Sequence, residues 1–171
     1  MPRLLLLSGL LVGLVACTRT PEPAATATAP APSPSTNATV AQADPSLPVA
    51  RVWKSPTCGC CSMWVEHMRR EGFTVEVRDT LNMAPVKERL GVPSGLGSCH
   101  TAQVGDYVFE GHVPAQDIKR LLRERPEGVA GLAVPGMPIG SPGMEVPGRP
   151  ADPYAVVSFG QAGEAVFTQY R

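Results

Sequence analysis

VARVWKSPTCGCCSMWVEHMRREGFTVEVR, Val49 to Arg78, holds the residues that decide the fold. Val49 to Lys54 is a short β-forming run that stops at Ser55-Pro56-Thr57. From Cys61 to Glu71 the apolar residues Trp64, Val65 and Met68 recur at helical spacing, with Glu66, Arg69 and Arg70 opposite them. Gly72 sits where a helix commonly ends. Phe73 to Arg78 alternates and is rich in β-formers, so it reads as a second strand. Cys58, Cys60 and Cys61 therefore fall in the turn between the first strand and the first helix.

Working outward, a second helix is expected over Ala84–Leu90, closed by Gly91. Thr101–Val104, the turn Gly105-Asp106 and Tyr107–Glu110 predict a hairpin. Pro114 is placed where a helix start tolerates proline. The following helix carries Ile118, Leu121 and Leu122 on one stripe and stops at Pro126. The order β-α-β, α, β-β-α is that of an α/β, thioredoxin-like domain with a mixed sheet flanked by helices. After Gly128 the pattern changes. AVPGMPIGSPGMEVPGRP is Gly/Pro-rich, excludes a regular element, and carries Met137 and Met144 in what reads as a crossover loop. Ala155–Phe159 and Ala165–Tyr170 predict a C-terminal β-hairpin.

Upstream lies a different kind of sequence. MPRLLLLSGLLVGLVAC pairs one arginine with an apolar run from Leu4 to Ala16, shorter than the roughly 20 residues a membrane-spanning helix needs. That is the shape of a secretory signal peptide over residues 1–16. Leu14-Val15-Ala16-Cys17 resembles a bacterial lipobox, which makes Cys17 the expected lipidation site. Thr18 rather than Asp after it favours the outer membrane by the bacterial sorting rule. Residues 17–48 are largely Pro, Ala, Thr and Ser, too polar and aperiodic to offset their ordering entropy, so a disordered tether is expected. The expectation is a periplasmic, lipid-anchored protein whose folded part, 49–171, is one domain. The chain has no net charge and few aromatics, which argues against nucleic acid as a partner.

Export makes the remaining four cysteines informative, because periplasmic thiols tend to oxidise unless something protects them. A helix N-terminus favours thiolate, which serves a nucleophile and a metal ligand equally well. Cys58 and Cys61 have the CxxC spacing of a dithiol redox pair. Cys60 does not fit that pair, since a third thiol invites scrambling, whereas a soft-metal site gains from every sulfur. Gly97-Ser98-Cys99-His100-Thr101 offers a thiol and an imidazole where redox members of the fold keep a cis-proline. Gly111-His112-Val113-Pro114 adds a second imidazole at the end of the hairpin, where a helix-capping or surface histidine is the plainer alternative. Cys99 paired with Cys58 or Cys61 in a structural disulfide is another. His67 is expected in solvent, and Met63 and Met68 in the core. Four thiolates alone would suit zinc, but Cys, His and Met together favour Cu(I), and surplus sulfurs allow bridging and a multinuclear site.

WKSPTCGCC (Trp53–Cys61), SCHTA (Ser98–Ala102), EGHVP (Glu110–Pro114) and GMPIGSPGME (Gly136–Glu145) together resemble the CopG-type copper-resistance family, also described as an exported metal-binding domain of unknown function. The four segments stand in the family's order and span most of the domain. The resemblance implies a thioredoxin-like fold, copper binding and a part in copper tolerance alongside other copper-resistance proteins. It implies metal-site positions at Cys58, Cys60, Cys61, Cys99, His100, His112, Met137 and Met144. The expected function is to sequester, transfer or redox-convert copper, with binding favoured over catalysis. The alternative is a thiol-disulfide oxidoreductase using Cys58 and Cys61.

Overall fold

The computed structural model describes residues 42–171; the signal peptide, Cys17 and most of the tether lie outside them. Strand β1 (Ala50–Lys54) leads into helix α1 (Gly59–Arg70), strand β2 (Val75–Asp79) and helix α2 (Ala84–Arg89). A 3-10 turn (Ser94–Leu96) precedes strands β3 (Thr101–Val104) and β4 (Tyr107–Glu110), then helix α3 (Ala115–Glu124). Strands β5 (Val129–Ala133), β6 (Tyr154–Gly160) and β7 (Ala165–Tyr170) finish the chain. Among the described residues all seven strands form one sheet in the order β2-β1-β3-β4-β5-β6-β7. It is mixed: β1/β2 and β4/β5 pair in parallel, and the other neighbours are antiparallel.

The expected elements are present, with shifted ends. Helix α1 starts two residues before its expected start at Cys61, so Cys60 and Cys61 sit in its first turn and Cys58 is its N-cap. Strand β5 was not expected from the sequence. VAGLA gives almost no period-two signal, being mostly small residues, and only its neighbours reveal it. It slots between β4 and β6 with Val108 opposite Gly131. A Cβ on Gly131 would come within 2.0 Å of the Val108 carbonyl oxygen, so only glycine fits this close approach.

The core gathers Trp64, Val65 and Met68 of α1, Ile118 and Leu121 of α3, Phe73, and the sheet residues Val52, Ala102, Val104, Phe109, Leu132 and Val156. Each large side chain buried this way contributes about 1.5–3 kcal/mol relative to exposure. Met68 is core, as expected; Met63 is half exposed and is not. The chain ahead of β1 also touches the domain. The Asp44 amide donates to the Gly72 carbonyl at 2.8 Å, and Leu47 packs against the core. Among the described residues no helix is long and apolar enough to cross a membrane.

Candidate metal centre

Three backbone segments and one long loop meet at the N-terminal end of α1. The first is the turn itself. The Cys58 amide donates to the Ser55 carbonyl at 3.1 Å, and the Cys61 amide donates to Cys58 Sγ at 3.4 Å. This N-cap bond satisfies one orphan donor of the helix with sulfur in place of the usual oxygen. Cys58 and Cys61 are joined in a disulfide, while Cys60 and Cys99 are free thiols. The structural pairing of Cys99 with Cys58 or Cys61 is therefore not found. Cys61 is fully buried; Cys58 and Cys60 are half-buried. Cys60 Sγ lies 3.4 Å from Cys58 Sγ.

The second segment, Ser98-Cys99-His100, is held by a buried carboxylate. Glu110 accepts from the Ser98 amide at 2.6 Å and from Thr101 Oγ1 at 2.7 Å, and it pairs with Lys87 of α2. Glu110 is fully buried and Lys87 half-buried, a placement in which a lone carboxylate charge would be costly. Nothing in the sequence singles out Glu110 except its place as the last residue of an otherwise apolar β4. His100 is buried against Trp64, with ring centroids 4.5 Å apart, and Trp64 in turn donates Nε1–H to the Val113 carbonyl at 2.9 Å. His100 Nε2 is buried with no partner among the described residues.

The third segment brings His112. Its Nδ1 lies 2.8 Å from the Pro142 carbonyl oxygen, which can only accept, so Nδ1 carries the proton. That leaves the Nε2 lone pair facing Cys99 Sγ at 3.1 Å. A backbone carbonyl that fixes the tautomer from behind is the usual second partner of a metal-binding histidine. His112 is fully buried, not a surface or capping residue. The helix-capping histidine is instead His67, whose Nε2 accepts from the Ala115 amide at 3.1 Å. Pro114 gives α3 no side-chain cap, and His67 of α1 supplies one, so it is not simply solvated as expected.

The Gly/Pro-rich loop closes over these segments. It is not a strand or helix, but it is knit by backbone bonds such as Met144 N–H to Ser141 O at 2.8 Å. Ser98 Oγ donates to the Gly136 carbonyl. Gly143 sits against the first turn of α1 with φ +84°, and a Cβ there would come within 2.7 Å of Cys60 O and Trp64 N. Only glycine lets the loop press so close. Of the two methionines expected at the site, Met144 is half-buried in this loop and Met137 is exposed.

Four cysteine sulfurs (Cys58, Cys60, Cys61 and Cys99) lie within 4.8 Å of one another, and one ligand atom each from Cys99, His100 and His112 meets the same limit. Burial, reinforced by Cys60, pushes the Cys99 thiol up to about 12. Burial also holds His100 and His112 below the usual histidine range, so both imidazoles are neutral. Neutral imidazoles offer lone pairs to a cation as they stand, and a half-buried protonated thiol becomes a ligand when a cation takes the place of its proton. The donor set is rich in sulfur with nitrogen in support, and such a set fits a soft or borderline metal ion rather than a hard one.

The family described as "Protein of unknown function, DUF411" matches residues 96–144, which include Cys99, His100, His112, Met137 and Met144. No curated protein matches the chain. Two solved structures do, described as copper resistance protein CopG, form 2 and form 1, each 43% identical in sequence. The first covers 73% of this chain and 98% of its own, with a TM-score of 0.68; the second covers 72% and 98%, with a TM-score of 0.66.

Proposed function

The chain belongs to the CopG-type copper-resistance family, and from that premise we propose that it binds copper, as Cu(I), through Cys60, Cys99, His112 and His100, joined by Cys58 and Cys61 when these are reduced. The observation that carries this reading is the meeting of four sulfurs with an imidazole whose tautomer is set by Pro142. Sulfur ligands stabilise Cu(I), and thiolates bridge between ions, so a site with four sulfurs accommodates more than one copper. Met137 and Met144 complete the ligand set if the loop turns their thioethers inward on loading. The role is to sequester copper, pass it on or change its oxidation state, in company with other copper-resistance proteins.

The scaffold is read as a thioredoxin-like core extended at one side. Its support is the strand order β2-β1-β3-β4, with α1 between the parallel pair β1 and β2 and the cysteines at the N-terminus of α1. Leu14-Val15-Ala16-Cys17 and the Pro/Ala/Thr-rich stretch after it support export, lipidation at Cys17 and tethering in the periplasm, at the outer membrane.

X-ray absorption on the copper-loaded, reduced chain tests the central reading. Mostly sulfur neighbours with one or two nitrogens per copper are expected, with the sulfur count falling in Cys60→Ser and Cys99→Ser. Tight binding that survives loss of both thiols would sink the role given to them. A second reading, thiol-disulfide exchange, has the Cys58–Cys61 disulfide in its favour. It predicts insulin reduction that is lost in Cys58→Ser and indifferent to Cys99→Ser.

A further inference from the structure

The converging donors divide into two sets that share one atom. Cys58, Cys60, Cys61 and Cys99 make an all-sulfur set, and Cys99, His100 and His112 make a mixed one. The Cys58–Cys61 disulfide withdraws two members from the first set and none from the second. We propose that this disulfide sets the metal load: when it is closed the chain keeps a single-ion site of Cys99, His112 and His100 with Cys60 beside it, and when it is open four thiols hold several soft cations by sharing sulfurs. The proposal rests on the metal-binding reading above and adds to it a second, smaller site and the bond that selects between them.

The chemistry follows from the state of sulfur. A thiolate is a charged, bridging ligand, whereas a disulfide sulfur is neutral and binds weakly. The mixed set does not depend on the bond. His112 is fixed by Pro142, His100 by Trp64, and the Cys99 segment by Glu110, none of which touches Cys58 or Cys61 through those contacts. Closing the bond removes two electrons, which a low-molecular-weight disulfide RSSR accepts. The Cys58 thiolate attacks one sulfur of RSSR, forming a mixed disulfide and releasing RS⁻. The Cys61 thiolate then attacks Cys58 Sγ and releases the second RS⁻, and the two RS⁻ take up the protons lost from Cys58 and Cys61. Opening is the reverse, with a dithiol as reductant. Burial assigns the roles: Cys61 is fully enclosed, so the incoming molecule meets Cys58.

Silver(I) titration of the full chain tests this, because Ag(I) is a soft d10 ion that does not reduce a disulfide. One sample is reduced with dithiothreitol and desalted without oxygen; the other is oxidised with glutathione disulfide, and the thiol count of each is checked by alkylation and mass spectrometry. The reduced chain is expected to hold at least about twofold more silver than the oxidised chain. His112→Gln is expected to strip the oxidised chain of its remaining ion while the reduced chain keeps most of its load. Cys58→Ser/Cys61→Ser is expected to hold the low load under both conditions; should that variant fail to fold, the wild-type pair of samples decides alone. Equal, non-zero loads in reduced and oxidised wild type would overturn the proposal and leave metal binding standing. Absence of tight binding by either sample would overturn the metal-binding reading, and this proposal with it.

Discussion

Two buried polar clusters adjoin at Ser98-Cys99 and are built on opposite plans. Around Glu110 every charge is answered: Lys87, the Ser98 amide and the Thr101 hydroxyl all converge on one carboxylate. The Asp117 carboxylate on α3 is answered in the same way, by hydrogen bonds from Thr168 and Tyr170 of β7, although Nε of its neighbour Arg120 is buried without a partner among the described residues. One residue beyond Ser98 the plan changes. Cys99 and Cys60 are half-buried free thiols, His100 Nε2 has no partner among the described residues, and His112 aims a lone pair at sulfur. Buried polar groups ordinarily find partners because an unmet one costs about 1–3 kcal/mol. A closed cluster therefore reads as structure, and an open one as a place that awaits a ligand.

If that division is right, mutations in the two clusters should report through different measurements. The largest expected effect is on stability. Lys87→Met leaves the Glu110 charge buried and unpaired, which should cost about 3–5 kcal/mol in urea unfolding of the metal-free protein. A loss under about 1 kcal/mol would show that Glu110 is not held as described. Next is Cys99→Ser, which keeps a small polar group beside His112. Metal-free stability should change by less than about 1 kcal/mol, while copper affinity in a competition titration should fall by more than about 100-fold. A stability loss as large as that of Lys87→Met would erase the contrast between the clusters.

The contrast also explains what the sequence revealed. The cysteine turn, His100 and His112 were legible because cysteine and histidine are rare and their chemistry is narrow. The hairpin Thr101–Glu110 was legible to the residue because Gly105-Asp106 punctuates it. The supports were not legible. Glu110 at the end of a strand and Asp117 in the first turn of a helix look like ordinary surface acids, and only tertiary packing buries them. The disulfide could not be told from a thiol pair by spacing, since CxxC serves both states. Strand β5 escaped because close packing selected small residues, Ala130, Gly131 and Ala133, that carry no alternation. His67 reads as a solvent-facing residue because periodicity describes one helix and says nothing of the α3 amide that arrives from elsewhere.

Tyr170→Phe probes the Asp117 carboxylate on a smaller scale. It removes one hydrogen bond to the Asp117 carboxylate and leaves the stacking on Tyr154, with ring centroids 4.7 Å apart, intact. The expected loss is about 1.5 kcal/mol in unfolding, with no change in copper affinity. A change in affinity would mean that the C-terminal hairpin and the sulfur site are coupled.

The smallest expected effect is one of pH, and it crosses the boundary between the clusters. Burial lowers the pKa of His67 from 6.5, outweighing Glu71 and Glu145, which pull it upward, while Arg70 and Lys119 assist the lowering. Its Nε2 accepts the Ala115 amide, a bond that only the neutral ring makes. In the unfolded chain the ring protonates near 6.5, and in the folded chain at a lower pH. Between those values the unfolded state binds more protons, so stability is full above 6.5 and is lost as pH falls through that window. His100 and His112, also neutral by burial, add slope of the same sign. His67→Gln should flatten only its own share of the acid loss in thermal unfolding of the metal-free protein between pH 7 and 5. Loading with metal should remove the part owed to His100 and His112, because a coordinated ring does not take up the proton, and should leave the His67 part in place. If metal abolished both shares, His67 would belong to the site rather than to the frame around it.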